Sequence, residues 1–175
     1  MKNKISRFCI LIYVIGLPAL SVAQERIYSD EFSSRPKGVK HIVVGMSFTR
    51  AFYGGLRFNV SNQSSAEITV GVVPFAAIFG LKGFALGGGY NWYFNPDKST
   101  SPFFSLLASY YSISTISDEF NSNFVVISPT LGIDYLPEFS KLSFSWRIGI
   151  AEGISTHEAF KTFFSFDVGA GWKLD

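Results

Sequence analysis

The chain has 175 residues, 47% apolar and 17% aromatic, with one cysteine and a formal charge of +2. Residues 1–23 hold that cysteine, three of the 15 basic side chains and no acid, so the other 152 residues set 12 positive against 13 negative charges. Such a near-neutral, cysteine-free remainder offers no footprint for nucleic acid, no disulfide framework and no thiolate metal site.

Lys2, Lys4 and Arg7 precede an apolar run from Phe8 to Leu20 and the small residues Ser21 and Ala23. This is the pattern of a secretory signal, cleaved after Ala23. The run of 13 residues is short of the roughly 20 that a membrane-spanning helix needs, and Pro18 breaks it. Cys9 lies too early in the run to serve as a lipid anchor. Beyond the signal, Gln24 to Lys40 is polar and includes Ser33, Ser34, Pro36 and Gly38, which reads as flexible. Three segments are therefore expected: a signal peptide (1–23), a flexible periplasmic lead-in (24–39) and a folded domain (40–175).

From Ile42 on, apolar residues recur at every second position. Such faces run from Ile42 to Phe48, Leu56 to Val60, Ile68 to Val72, Phe84 to Phe94 and Phe104 to Tyr110. Ile127, Leu131, Ile133 and Tyr135 then oppose Ser128, Thr130, Gly132 and Asp134, with Pro129 as a blemish that implies a bulge or a missing ladder bond. Leu142, Phe144, Trp146, Ile148 and Ile150 oppose Ser143, Ser145, Arg147, Gly149 and Ala151. Last, Phe164, Phe166, Val168, Ala170, Trp172 and Leu174 oppose Ser165, Asp167, Gly169, Gly171 and Lys173. A period of two is the mark of strands, and no segment has convincing helical periodicity. Turn residues such as Asn95-Pro96-Asp97-Lys98 and Leu136-Pro137-Glu138 separate the strands.

The two faces differ in size as well as polarity: one is aliphatic and aromatic, the other Gly, Ser, Thr and isolated charges. Eight strands enclose a bore only just filled by side chains, so the bulky face belongs outside and the small, polar face inside. In water such an exterior aggregates, whereas hydrocarbon requires it. The expected fold is all-β, an eight-stranded antiparallel up-and-down transmembrane β-barrel. With the N-terminus in the periplasm, an aromatic girdle is expected at the lower rim (Trp92, Phe94, Phe104, Tyr135, Phe144, Trp172) and at the upper rim (Phe48, Tyr110, Phe124, Phe164). The long connections 116–123 and 152–161 fall on the outer side, Pro137 to Ser140 makes a short periplasmic turn, and the first two outer loops read as short.

With its signal, its eight alternating strands and a closing Gly169-Ala170-Gly171-Trp172-Lys173-Leu174, the chain resembles over roughly residues 40 to 175 the outer-membrane β-barrel domain family common in Bacteroidota. That family is related to the small OmpA- and OmpX-like barrels. The resemblance implies residence in the bacterial outer membrane, with lipid and lipopolysaccharide around the barrel and the barrel assembly machinery as a partner during biogenesis. Such barrels usually end on an aromatic residue, where this sequence has Asp175.

The inward set includes Arg57, Glu67, Asp134, Arg147, Asp167 and Lys173. In a narrow bore opposite charges must pair, because an isolated buried ion costs several kcal/mol. A structural charge network is therefore favoured over an ion path through the same groups. Gly87-Gly88-Gly89 has no following helix to make a phosphate loop, and is expected to permit curvature or close packing of a ring. Ser155, His157 and Glu158, or Glu152, are the residue types of a lipid-A deacylase site, but three common polar residues in a loop carry little weight. The expectation is a non-enzymatic barrel with no cofactor and no metal, its role structural or in binding an extracellular ligand through loops 116–123 and 152–161. The alternative is a narrow channel or a component of a transport or secretion apparatus.

Overall fold

The computed structural model describes residues 35–47, 49–73, 81–115, 121–137, 140–155 and 161–174. Eight strands follow one another: β1 (Lys40–Ser47), β2 (Ala51–Ser61), β3 (Ser64–Val72), β4 (Leu81–Tyr93), β5 (Thr100–Thr115), β6 (Asn121–Tyr135), β7 (Leu142–Ser155) and β8 (Lys161–Lys173). Each pairs antiparallel with the next, and β8 closes on β1 from His41↔Lys173 to Ser47↔Asp167. Closure gives each strand a partner on both sides.

Alternation fixes which face points inward. Along β5, Ser101, Phe103, Ser105, Leu107, Ser109 and Tyr111 are buried, while Pro102, Leu106, Ala108 and Tyr110 are exposed. A slip of one residue would turn either set to the wrong face, so burial sets the register. The outer wall is apolar over most of its height, with Val70 60% exposed and Phe164 62%.

The interior is not the small-residue lining that the sequence implied. Tyr53, Tyr93, Phe103, Leu107 and Tyr111 all point inward and are buried. Glycines on neighbouring strands make them fit: a Cβ on Gly132 would lie 2.8 Å from its cross-strand partner Phe103, one on Gly89 2.5 Å from its partner Leu107, and one on Gly169, two strands away, 2.7 Å from the Tyr53 hydroxyl. Size is thus traded between neighbouring strands instead of being kept uniformly low. Within the triple-glycine segment Gly89 serves this purpose, whereas a Cβ on Gly87 would press on the Thr69 hydroxyl at 2.7 Å.

Strand lengths also correct the loop expectations. β5, β6 and β7 run to 16, 15 and 14 residues, against 8 for β1 and 9 for β3, so one side of the wall stands taller. Segments 121–123, 152–155 and 161 are paired strand, as in Ser112↔Asn123 and Glu152↔Thr162. Their Ser, Asn and Gly content is loop-like, but cross-strand pairing carries the ladder through it. This shortens the expected loops to 116–120 and 156–160, and the longest upper connection is 73–80, which the sequence had marked as short.

At Pro129 the β6–β7 ladder stops after Ile127↔Glu152 and resumes at Thr130↔Gly149 in the same register, so a ladder bond is lost without a bulge. The Ser128 hydroxyl donates to the Ile150 carbonyl at 2.8 Å, where Pro129 has no N–H to offer. The lead-in is held where it is described. Gly38 turns the chain at a φ of 84° and donates its N–H to the Asn59 carbonyl at 2.8 Å, which brings Arg35 under the barrel.

Candidate functional site

The site is the bore itself, and it has three levels. At mid-height, Glu67 on β3 sits among three guanidinium groups. Its Oε1 accepts from Arg50 and, at 3.0 Å, from Arg147, while its Oε2 accepts from Arg57 and Arg147, both at 3.3 Å. Asp167 on β8 pairs with Arg50 through Nε at 3.1 Å and through Nη2, and its Oδ1 accepts from the Tyr53 hydroxyl at 3.1 Å. The Nε of Arg147 lies 3.2 Å from the same Oδ1, close enough for charge attraction but without the alignment of a hydrogen bond. Asn91 and Ser105 accept from Arg147 at 3.2 Å each. Arg147 and Asp167 are wholly buried. Every ion at this level has its partner in place, as a low-dielectric interior demands.

At the lower end, Asp134 on β6 is shared by Arg35, at 3.1 Å, and Arg57, at 3.4 Å. Arg35 also donates to the carbonyls of Pro96 and Lys98 and lies over the Tyr93 ring. At the upper end charge gives way to an apolar cluster. Ala85, Tyr111, Val126 and Ala151 pack together, with Val73 and Phe124 against them and the Tyr111 and Phe124 rings stacked 5.0 Å apart.

Five of the six inward charges read from the sequence thus lie in one connected network: Arg57, Glu67, Asp134, Arg147 and Asp167. Lys173 also faces inward, but it is half-buried at the lower rim and forms no ion pair among the described residues. Two members had no such signal. Arg35 precedes the first strand, and Arg50 sits in the β1–β2 turn, outside any alternating segment. The turn tucks inward over Gly71, where a Cβ would strike the Arg50 carbonyl oxygen.

Of the girdle residues, Trp92, Tyr135, Phe144 and Trp172 are exposed on the lower wall, with Phe104 half-buried beside them. Phe94 lies past the end of β4, its N–H bonded to the Pro102 carbonyl at 2.9 Å. Tyr110 and Phe164 are exposed on the upper wall, whereas Phe124 has the parity of the inward set and packs inside. Phe48 lies outside the described residues, as do His157 and Glu158. Glu152 accepts a hydrogen bond from Thr162 at 3.4 Å on the surface. Among the described residues no three His, Cys, Asp or Glu side chains group to hold a metal.

Closed antiparallel walls, an apolar exterior and an ion-paired bore define the class: a small eight-stranded up-and-down β-barrel with inverted polarity. The fold is similar to that in the crystal structure of the N-terminal β-barrel domain of Pseudomonas aeruginosa OprF, with a TM-score of 0.59 at 11% identity, over 79% of this chain and 98% of that one. No protein family model and no curated protein matches the sequence.

Proposed function

We propose that the protein is an exported, non-enzymatic barrel of the bacterial outer membrane with a side-chain-filled bore, and that it acts as a scaffold presenting its outer loops. The observation that carries this reading is the inversion of polarity: exposed Ile68, Val70, Phe84, Phe144 and Phe164 outside, buried arginines and carboxylates inside. On β6 the outward apolar positions run from Val125 to Tyr135. At about 3.4 Å per residue and a strand tilt near 40°, that is roughly 25 Å, the height of a barrel's lipid-facing band. The fold shared with the OprF domain supports the same location. Cleavage after Ala23, contact with lipopolysaccharide and handling by the assembly machinery belong to this proposal. The 116–120 and 156–160 loops would carry any extracellular ligand.

Refolded into detergent or lipid, the protein is expected to migrate differently on a denaturing gel before and after boiling. A water-soluble monomer with no such shift would sink the membrane reading. In a planar bilayer the filled bore predicts no stable conductance steps. Steps that change in Arg147→Gln would replace the scaffold with a narrow channel.

A further inference from the structure

The chain enters β1 by crossing the lower mouth of the barrel. β1 and β5 lie opposite each other in the closed order of strands, yet Arg35, which precedes β1, reaches the β4–β5 turn and the end of β6. Residues 35–39 therefore span the opening as a strap. The near end follows β2: Gly38 donates its N–H to the Asn59 carbonyl at 2.8 Å, and the Asn59 N–H donates to the Val39 carbonyl at 2.9 Å. The Asn59 amide donates to the Pro36 carbonyl at 3.1 Å, and the Lys37 N–H donates to Asn62 Oδ1 at 3.2 Å. The far end is Arg35, which is buried. Its guanidinium donates to the carboxylate and the main-chain carbonyl of Asp134 and to the carbonyls of Pro96 and Lys98, and lies 4.8 Å above the Tyr93 ring.

A guanidinium buried in this way is held by its partners, because parting from them leaves a desolvated charge. Those partners face β1 only once the ladder has curled and β8 has closed on β1, so the strap docks on a finished barrel. Asp134 also pairs with Arg57, and Arg57 with Glu67, which joins the strap to the ions at mid-height. Behind the strap is a cavity of about 10 Å³, room for one water, with His41, Arg57, Asn59 and Ser143 in its walls. None of the strap's contacts belongs to the strand ladder, so it can part from the mouth without unfolding a strand.

We propose that residues 35–39 are a latch that closes the lower mouth after the barrel has formed, fastened by Arg35. Its release opens the bore to water as far as the Arg57–Glu67 pair, while the levels above stay shut.

The test uses the full chain with Cys9→Ser, refolded in detergent. One protein carries a thiol behind the strap (Ser143→Cys), and a second carries it at the upper level (Ser109→Cys), where the native serine is equally buried. A water-soluble maleimide should label both slowly. With Arg35→Gln added, the Ser143→Cys thiol is expected to react about tenfold faster, through the loss of hydrogen bonds to a charged group, and the Ser109→Cys thiol at its former rate. If Arg35→Gln does not fold, Gly38→Ala makes the same test. Its methyl meets nothing within 4 Å and every charge stays in place, but it strains a bend at a φ of 84°, which should speed Ser143→Cys labelling about tenfold. Fast labelling of Ser143→Cys with the strap unaltered, or no acceleration in either variant, would overturn the proposal. Equal acceleration at both thiols would make Arg35 a general stabiliser and overturn it too. The measurement needs no bilayer, so it stands whichever side of a membrane the lower mouth faces.

Discussion

The middle and the upper end of the bore solve the same filling problem by opposite chemistry. At mid-height Arg50, Arg57 and Arg147 converge on Glu67, so three strands and a turn are tied at one point by groups that have no tolerable alternative to one another. At the upper end Tyr111, Phe124, Val126 and Ala151 are held by contact area alone. Ion pairs in such a place do not make a barrel more stable than apolar packing would, because desolvation offsets most of the attraction. What they do is penalise every arrangement in which a partner is missing. The middle thus specifies one closure, while the upper end tolerates repacking.

The largest effect expected from this contrast is at Glu67. Glu67→Gln keeps the shape but leaves three guanidinium groups short of charge, and should lower stability by about 3–5 kcal/mol. Urea unfolding in micelles, followed by the fluorescence of the outward Trp92, Trp146 and Trp172, measures it. Val126→Ile at the upper end adds one methylene to an apolar cluster and should cost less, about 1–3 kcal/mol. Comparable losses at both sites would remove the distinction between the two levels.

Next in size is the glycine that lets the wall meet a large side chain. A Cβ on Gly132 would press on the Trp146 carbonyl oxygen as well as on Phe103. Gly132→Ala is expected to cost about 1–3 kcal/mol, and Phe103→Leu in the same chain should recover part of it. A lack of recovery would place the strain in the backbone and not in the bore.

These residues also mark where the sequence was legible. Period two identified all eight strands and the side most of their residues face, because burial of one face is a strong constraint on register. It also brought Arg57, Glu67, Asp134, Arg147 and Asp167 onto one surface. It did not expose Arg50 or Arg35, whose inward course depends on a turn over Gly71 and on the bend at Gly38. Nor did it reveal that Gly132 and Gly89 are small because Phe103 and Leu107 are large: that trade is made between register partners on consecutive strands, and alternation within one strand says nothing of register. Phe124 was placed on the wrong face because β6 was started too late. Extending the alternation upward from Thr130 through Val126 puts Phe124 inside.

The smallest expected effect is the most direct comparison of the two levels. Tyr53 and Tyr111 are both buried tyrosines, at 6% and 5% exposure, and differ mainly in what the hydroxyl meets. The Tyr53 hydroxyl donates to Asp167, and a hydrogen bond to a carboxylate in this setting makes Tyr53→Phe destabilising by about 2 kcal/mol. The Tyr111 hydroxyl has only the Ala51 backbone near it and makes no well-aligned hydrogen bond among the described residues, so Tyr111→Phe removes a desolvated group that returns little. It should leave stability unchanged or raise it by up to about 1 kcal/mol. The same unfolding titration reads both variants. An equal loss in the two would mean that ordered water reaches Tyr111 and that the upper end is polar and wet. The bore would then have one chemistry along its length, and the closure would owe its specificity to hydrogen bonding at every level, not to the ions at Glu67.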